Sequence, residues 1–346
     1  MKVIRGSNIN EVFQIAVMNL RAEETIQMDS RNGEVSMFRE PVTSVYERPN
    51  ERVLFNPIRN CNPFFHFVEG LWMIAGRNDL KPLTMFAKKL ADYSDDGYTL
   101  NGAYGYRWRH WFERLRHVND AAFELEGVDQ LDTAIEMLKA SPKDRRVVLG
   151  MWDPTDDLGS TSKDIPCNTQ VFFKSIPTKD GYILDMTVTN RSNDLIWGAY
   201  GANVVHFSMV HEYVASMAGM GLGHYYQVSN NAHVYSDVWK PLEEKLPHGY
   251  MPDPYETDNL KPLPLVDDPS TFDEDVNKFF DWLLSNSPPP SFNNKIFVNT
   301  AVPMVSAWKL YKEGKDKLAA LEEAMHIKAP DWRKACVEWF QRKIYG

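Results

Sequence analysis

Cys167 stands in the run Asp164-Ile165-Pro166-Cys167-Asn168, and a thiol becomes a strong nucleophile once it is ionised. Its ordinary pKa is about 8.5, so a neighbouring cation is needed to favour thiolate near neutrality. Arg191, in Asn190-Arg191-Ser192-Asn193-Asp194, offers that cation; Gly198, Asn203 and then Asn230-Asn231-Ala232-His233-Val234-Tyr235-Ser236 follow in order. Taken singly these are weak signals. A lone cysteine beside a strand is more often core filling, and an isolated arginine is more often solvated surface. The order carries the information. Farther upstream, Glu69 interrupts the apolar segment 63–75, where a carboxylate is costly unless it is paired or functional. His233 and Tyr235, one residue apart on an extended segment, point to the same side.

Several elements must hold these residues. Ile9, Val12, Ile15, Ala16 and Leu20 recur at helical spacing and predict an opening helix over 9–29. Residues 34–38 read as a short strand, and 63–75 as a buried helix. Strand-like runs cover 146–151, 170–175 and 182–189. A second buried helix spans 204–217, closed by Gly219 and Gly221. From about Lys240 the chain turns acidic and proline-rich, through Pro252, Pro254, Pro262, Pro264 and Pro269. Helices are predicted beyond that linker over 272–286, 302–326 and 332–344. The layout is an α/β catalytic body over 1–265 with a helical extension over 266–346.

Bulk composition narrows the function. A net charge of −9 argues against a nucleic-acid polymer as partner, since phosphate-backbone affinity needs a broad basic surface. It leaves room for a nucleotide-sized ligand, which needs only a few local arginines. The three cysteines, Cys61, Cys167 and Cys336, have no metal-ligand spacing, so no metal is expected and a reducing, cytoplasmic setting is. No apolar run approaches the roughly 20 residues of a membrane span, and residues 1–10 contain no apolar stretch that would serve as a signal peptide.

Together the motifs resemble thymidylate synthase and its close relatives, the deoxypyrimidine hydroxymethylases. Ser30-Arg31-Asn32-Gly33 is similar to the family's phosphate-loop arginine, and His66-x-x-Glu69-Gly-Leu-Trp72 to its glutamate helix. Asn101-Gly-Ala-Tyr104-Gly-x-x-Trp108-Arg109-x-Trp111 and Asp144-Arg145-Arg146 complete the likeness, which spans residues 30–240 of the 346. The resemblance implies an α/β (α+β) fold with a large bent mixed sheet flanked by helices. It also implies a homodimer that binds a pyrimidine nucleoside monophosphate and 5,10-methylenetetrahydrofolate.

The same resemblance assigns roles. Cys167 adds to C6 of the base, making C5 nucleophilic toward the folate-borne carbon. Arg31, Arg191 and the partner subunit's copies of residues 145 and 146 (Arg145 and Arg146 in this chain) cage the 5′-phosphate, with Ser192 donating a hydrogen bond. His233 and Tyr235 bind the sugar 3′-hydroxyl, Asn203 reads the base, and Gly198 lets backbone lie close to it. Glu69, which also borders the folate site, orders water and moves protons at the base O4 or N4 and C5, Tyr104 assists proton removal from C5, and Asp194 contacts the pterin ring.

Three departures bear on the product. Residues 75–103 contain no tryptophan, a helical extension follows the catalytic body, and Asn168 stands where the family has a histidine. The first two loosen closure over folate, and a less closed site favours water capture, giving hydroxymethyl, over hydride transfer, giving methyl. True thymidylate synthase is the alternative. Asparagine suits uracil and aspartate suits cytosine. The spacing from Gly198 to Asn203 is one residue longer than usual, so uracil follows if Asn203 is the reader, while cytosine stays open if Ala202 takes that position.

Overall fold

The opening helix stops earlier than its apolar spacing implies. In the computed structural model, which describes residues 1–23, 25–112, 114–119, 122–312, 314 and 316–345, it runs Ile9–Ala22. The Asn8 side chain caps it by accepting from the backbone N–H groups of Asn10 and Glu11. Leu20 is its last buried residue. Beyond it Ile26, Gln27, Met28 and Asp29 alternate apolar with polar, the period of a strand rather than a helix.

The strands are β1 (Lys2–Gly6), β2 (Ile26–Ser30), β3 (Gly33–Met37), β4 (Val42–Tyr46), β5 (Arg114–Asn119) and β6 (Ala122–Glu126). They continue with β7 (Val148–Gly150), β8 (Asn168–Thr178), β9 (Gly181–Asn190), β10 (Asn193–Asp194), β11 (Gly221–Ser229) and β12 (Ala232–Tyr235). The main sheet is mixed and six-stranded, in the order β1-β4-β11-β9-β8-β7. Pairs β1/β4 and β11/β9 are parallel and the other neighbours antiparallel. Register shifts in β11 at Leu222/Tyr225 and in β8 at Asn168/Gln170 are bulges, which bend and twist a sheet locally. A smaller sheet, β10-β12-β3-β2, carries the Arg31 turn at one edge and the Asp194 segment at the other.

Two helices are buried almost all round. Pro63–Ile74 begins with proline at its first position, and Asn62 caps it by accepting from the Phe65 N–H at 3.2 Å. The second runs Asn203–Met217. They meet at His66 and His206, whose ring centroids lie 6.2 Å apart, edge to face.

The C-terminal extension covers the other side of the first of these helices. The sequence predicts one helix over 302–326; instead Val302–Lys312 and Lys317–Ala324 form separately. Asp316 caps the second by accepting from the Ala319 N–H at 2.9 Å, a local stop and start that apolar periodicity does not register. Phe64 lies 5.3 Å from Trp308 and 5.0 Å from Phe340, and Phe67 lies 5.0 Å from Trp332, by ring centroids. Positions 67 and 69 stand about 160° apart around a helix, so the extension's rings grip the face away from Glu69. Each such ring removed from water contributes roughly 1.5–3 kcal/mol. No helix among the described residues is long and apolar enough to cross a membrane.

One contact of the extension titrates. Asp331, buried at the start of the Pro330–Tyr345 helix, accepts from the Tyr255 hydroxyl at 3.2 Å, and burial pushes its carboxyl up to about 6. A carboxyl raised in the folded state holds its proton there after the unfolded chain has released it. Stability therefore falls as pH rises from the unfolded value, about 4, through about 6. Asp331→Asn removes the charge and keeps an acceptor. It is expected to gain on the order of 1–2 kcal/mol at pH 8, and less toward pH 5, in denaturant melts at the two pH values. An equal gain at both would contradict this origin.

Candidate active site

The hairpin that follows Cys167 brings it to Arg191. Strands β8 and β9 pair antiparallel, with Asn168 opposite Asn190. One residue farther out, the register sets Cys167 beside Arg191, whose N–H donates to the Cys167 carbonyl at 2.9 Å. The Arg191 guanidinium then folds back. Nε donates to Pro166 O at 2.8 Å, Nη2 to Ile165 O at 3.1 Å, and Nη2 lies 3.8 Å from the Cys167 sulfur.

Two influences oppose each other at this thiol. Burial raises its pKa above the ordinary value; Asp164 and Asp194 add to the rise, while Arg191 and Arg31 work against it. Burial prevails in the free protein. Arg191→Ala is therefore expected to raise the thiol further and to slow alkylation of Cys167 by iodoacetamide about tenfold at pH 7.5. The rate profile should move to higher pH, followed by peptide mass spectrometry. An unchanged profile would mean the guanidinium does not act on the sulfur.

Tyr104 reaches the same place through a tied loop. Asp164 accepts from the Gly102 N–H at 2.7 Å, and Asn101 Nδ2 donates to Asp164 O at 3.1 Å. Gly105 is obligatory at the start of the Tyr104–Arg109 helix, since a Cβ there would lie 1.8 Å from the Met73 carbonyl oxygen. Burial, with Cys167 and Asp164 nearby, drives the Tyr104 phenol well above its ordinary range. Asn168 opposes that rise, yet neither of its side-chain polar atoms has a hydrogen-bond partner among the described residues.

Glu69, Tyr104, Asp164, Asn203 and His206 line one cavity of about 260 Å³, walled farther out by Trp72, Leu90, Tyr93 and Leu100. Cys167 is not in that lining; it is tied to it electrostatically through Tyr104 and Asp164. A larger open groove of about 650 Å³ runs beside the last helix, past Phe55, Lys334, Arg342 and Tyr345. It contains none of the residues read as chemical from the sequence.

Asn203 opens its helix and donates from Nδ2 to Asn193 Oδ1 at 3.1 Å, while Asn193 Nδ2 donates to Ser229 Oγ at 3.0 Å. A wide π-helical turn over Leu195–Ala202, with Tyr200 and Gly201 off helical geometry, leads into Asn203. Gly198 closes on this amide pair: a Cβ there would meet Asn193 Oδ1 at 2.6 Å and Asn203 Nδ2 at 3.3 Å. Asp194 caps the turn, accepting from the Ile196 N–H at 2.6 Å and the Trp197 N–H at 3.0 Å. Its Oδ2 is buried without a hydrogen-bond partner among the described residues, and burial raises its carboxyl.

Parallel pairing of β10 with β12 sets Asp194 beside His233, and the His233 and Tyr235 rings stand 5.4 Å apart on one side of β12. Arg31 sits exposed in its turn, Nη1 3.4 Å from Ser162 O. Ser192 is half-buried next to Arg191. Arg145 and Arg146 are exposed, and Arg146 is forked onto Asp144 at 2.7 and 3.0 Å. Neither lines this chain's own cavity.

Sequence reasoning gave no role to Asn193, Asp164 or His206. The first two stand inside the motifs. His206 carried no comparable signal, since its helix also holds Ser208, His211 and Glu212. Its nearness to Glu69 is a tertiary fact.

Cys167 beside Arg191, and Glu69 with Asn203 in the lining of one cavity, suit the chemistry of a one-carbon transferase of pyrimidine nucleotides. The chain belongs to the thymidylate synthase family, whose sequence profile matches residues 50–263. It is similar to the deoxyuridylate hydroxymethyltransferase of Pseudomonas phage M6, at 45% identity over 99% of this chain and 95% of that protein. The protein of the same description from Bacillus phage SP01 is 40% identical over 57% of this chain and 50% of its own length. The thymidylate synthase of Ascaris suum is 30% identical over 54% and 65%. The family acts on a nucleoside monophosphate with methylenetetrahydrofolate as co-substrate.

Proposed function

We propose that this protein converts dUMP to its 5-hydroxymethyl derivative, taking carbon from 5,10-methylenetetrahydrofolate and oxygen from water. The observation that carries the reading is the extent of likeness. Similarity to a deoxyuridylate hydroxymethyltransferase runs through the C-terminal helices, whereas the synthase match covers about half of the chain.

The base reading rests on Asn203. One Nδ2 hydrogen is given to Asn193, which leaves one N–H and the carbonyl oxygen. Uracil presents N3–H and O4, a donor and an acceptor, and that remaining pair matches them.

Folate supplies the one-carbon unit when bound. The unpartnered buried Oδ2 of Asp194 fits a ring carrying N–H donors, and Trp72, Tyr93 and Leu90 offer flat and apolar surface. This chain's residues do the rest. Arg191 and Arg31 take the phosphate, with Ser192 beside them and His233 and Tyr235 at the sugar. The Cys167 thiolate adds to C6, Glu69 moves protons near O4, and Tyr104 assists loss of the C5 hydrogen. Arg145 and Arg146, exposed and outside their own cavity, reach the partner's phosphate in a homodimer. Residues 1–265 form the catalytic unit, and 266–346 brace the Glu69 helix.

Mass spectrometry of dUMP, dCMP and CMP after separate incubation with methylenetetrahydrofolate tests this. A hydroxymethyl increment on dUMP is expected. A methyl increment on dUMP, or consumption of dCMP alone, would overturn the product or the base.

A further inference from the structure

Glu69 faces a side chain that no step above uses. His206 is 4% exposed on the Asn203–Met217 helix, and its Nε2 lies 3.0 Å from Glu69 Oε2. Despite that distance, the approach is not a hydrogen bond: neither atom has a hydrogen-bond partner among the described residues. A buried polar atom left unsatisfied carries its full desolvation cost, so two side by side on one cavity wall mark a place for a small polar guest. The edge-on neighbour His66 is held neutral, since burial lowers it to about 3. Its ring therefore puts no charge against a proton on His206. Beside the nucleophile the side chain is Asn168, not an imidazole; the imidazole of this cavity arrives from the opposite helix.

The chemistry of the last step states what such a pair is for. Hydride brings its electron pair and leaves no proton to remove. Water brings a proton that has to go somewhere.

Resting on the hydroxymethylation reading, we propose that His206, together with Glu69, orients and deprotonates the water that captures the exocyclic methylene carbon. At that stage Cys167 is bonded to C6, and C5 carries a methylene conjugated with the C4 carbonyl. The water oxygen bonds to the methylene carbon as its proton passes to the pair. The methylene π electrons move to C4–C5 and the carbonyl π electrons to O4. The enolate then restores the C4 carbonyl, its C4–C5 pair becomes the C5–C6 double bond, and the C6–S electrons leave with Cys167 as thiolate. The proton held by the pair neutralises it.

Loss of the C5 hydrogen precedes water capture, so the two events are separable. The test uses the full-length enzyme in excess over C5-tritiated dUMP, with methylenetetrahydrofolate, comparing wild type with His206→Gln. Tritium release, hydroxymethyl nucleotide and the mass of the denatured enzyme are followed. His206→Gln is expected to release tritium within about threefold of wild type and to form product about 100-fold more slowly. Nucleotide plus one carbon should accumulate on Cys167. His206→Asn repeats the measurement should the glutamine variant fold poorly. Product formation within threefold of wild type, or tritium and product falling together in a folded variant, would overturn the proposal. Wild type making methyl product or releasing no tritium would instead overturn the hydroxymethylation reading.

Discussion

Cys167→Ala is expected to lower kcat by at least about 10⁴-fold, which corresponds to more than 5 kcal/mol of lost transition-state stabilisation. C5 of uracil does not attack an electrophile until a nucleophile has added to C6, and neither other cysteine stands at the hairpin. Cys61 is half-buried beside the Pro63 helix and Cys336 is buried in the last one. Nucleotide binding should stay within a few-fold of wild type, because the phosphate and base contacts are proposed for Arg31, Arg191 and Asn203 rather than for the thiol. Isothermal titration with dUMP, alongside turnover, separates the two effects. Turnover retained within tenfold would remove Cys167 from the chemistry.

Glu69→Gln comes next in size. Proton transfer by a positioned carboxylate contributes about 10²–10⁴-fold, so kcat should fall by that much with KM within a few-fold. The amide preserves shape and the neighbourhood of His206, but neither holds nor releases a proton as a carboxylate does. Because Glu69 is assigned proton movement near the base as well as a share of water capture, tritium release and product formation should fall together. That separates it from His206→Gln, in which product alone falls. A rise in KM with kcat unchanged would make Glu69 a binding residue only.

Much of this site could be read from residue order because a hairpin does arithmetic. Cys167 precedes one strand and Arg191 follows its partner, so a tight turn between them leaves the two ends adjacent. Glu69 was legible for a different reason, a carboxylate on an apolar helix. Helix ends were read less well. The 9–29 and 302–326 segments each have helical spacing of apolar residues. Their stops are set by a change to strand alternation at Ile26 and by the Asp316 cap, which are local features that a periodicity count averages away.

Contacts between distant elements were out of reach. The Asn193–Asn203 amide pair closes across a π turn, and the Glu69–His206 approach depends on two buried helices crossing. The wall of the cavity is similar. The sequence marks the lack of tryptophan over 75–103, yet Trp72 and Tyr93 supply aromatic surface there.

The central claim is that water, not hydride, completes the one-carbon transfer. Its most direct test is incubation of the protein with dUMP and methylenetetrahydrofolate in water enriched in heavy oxygen, followed by the mass of the nucleotide. A hydroxymethyl product carrying the heavy oxygen is the predicted result. A methylated nucleotide without the label, accompanied by dihydrofolate, would contradict it.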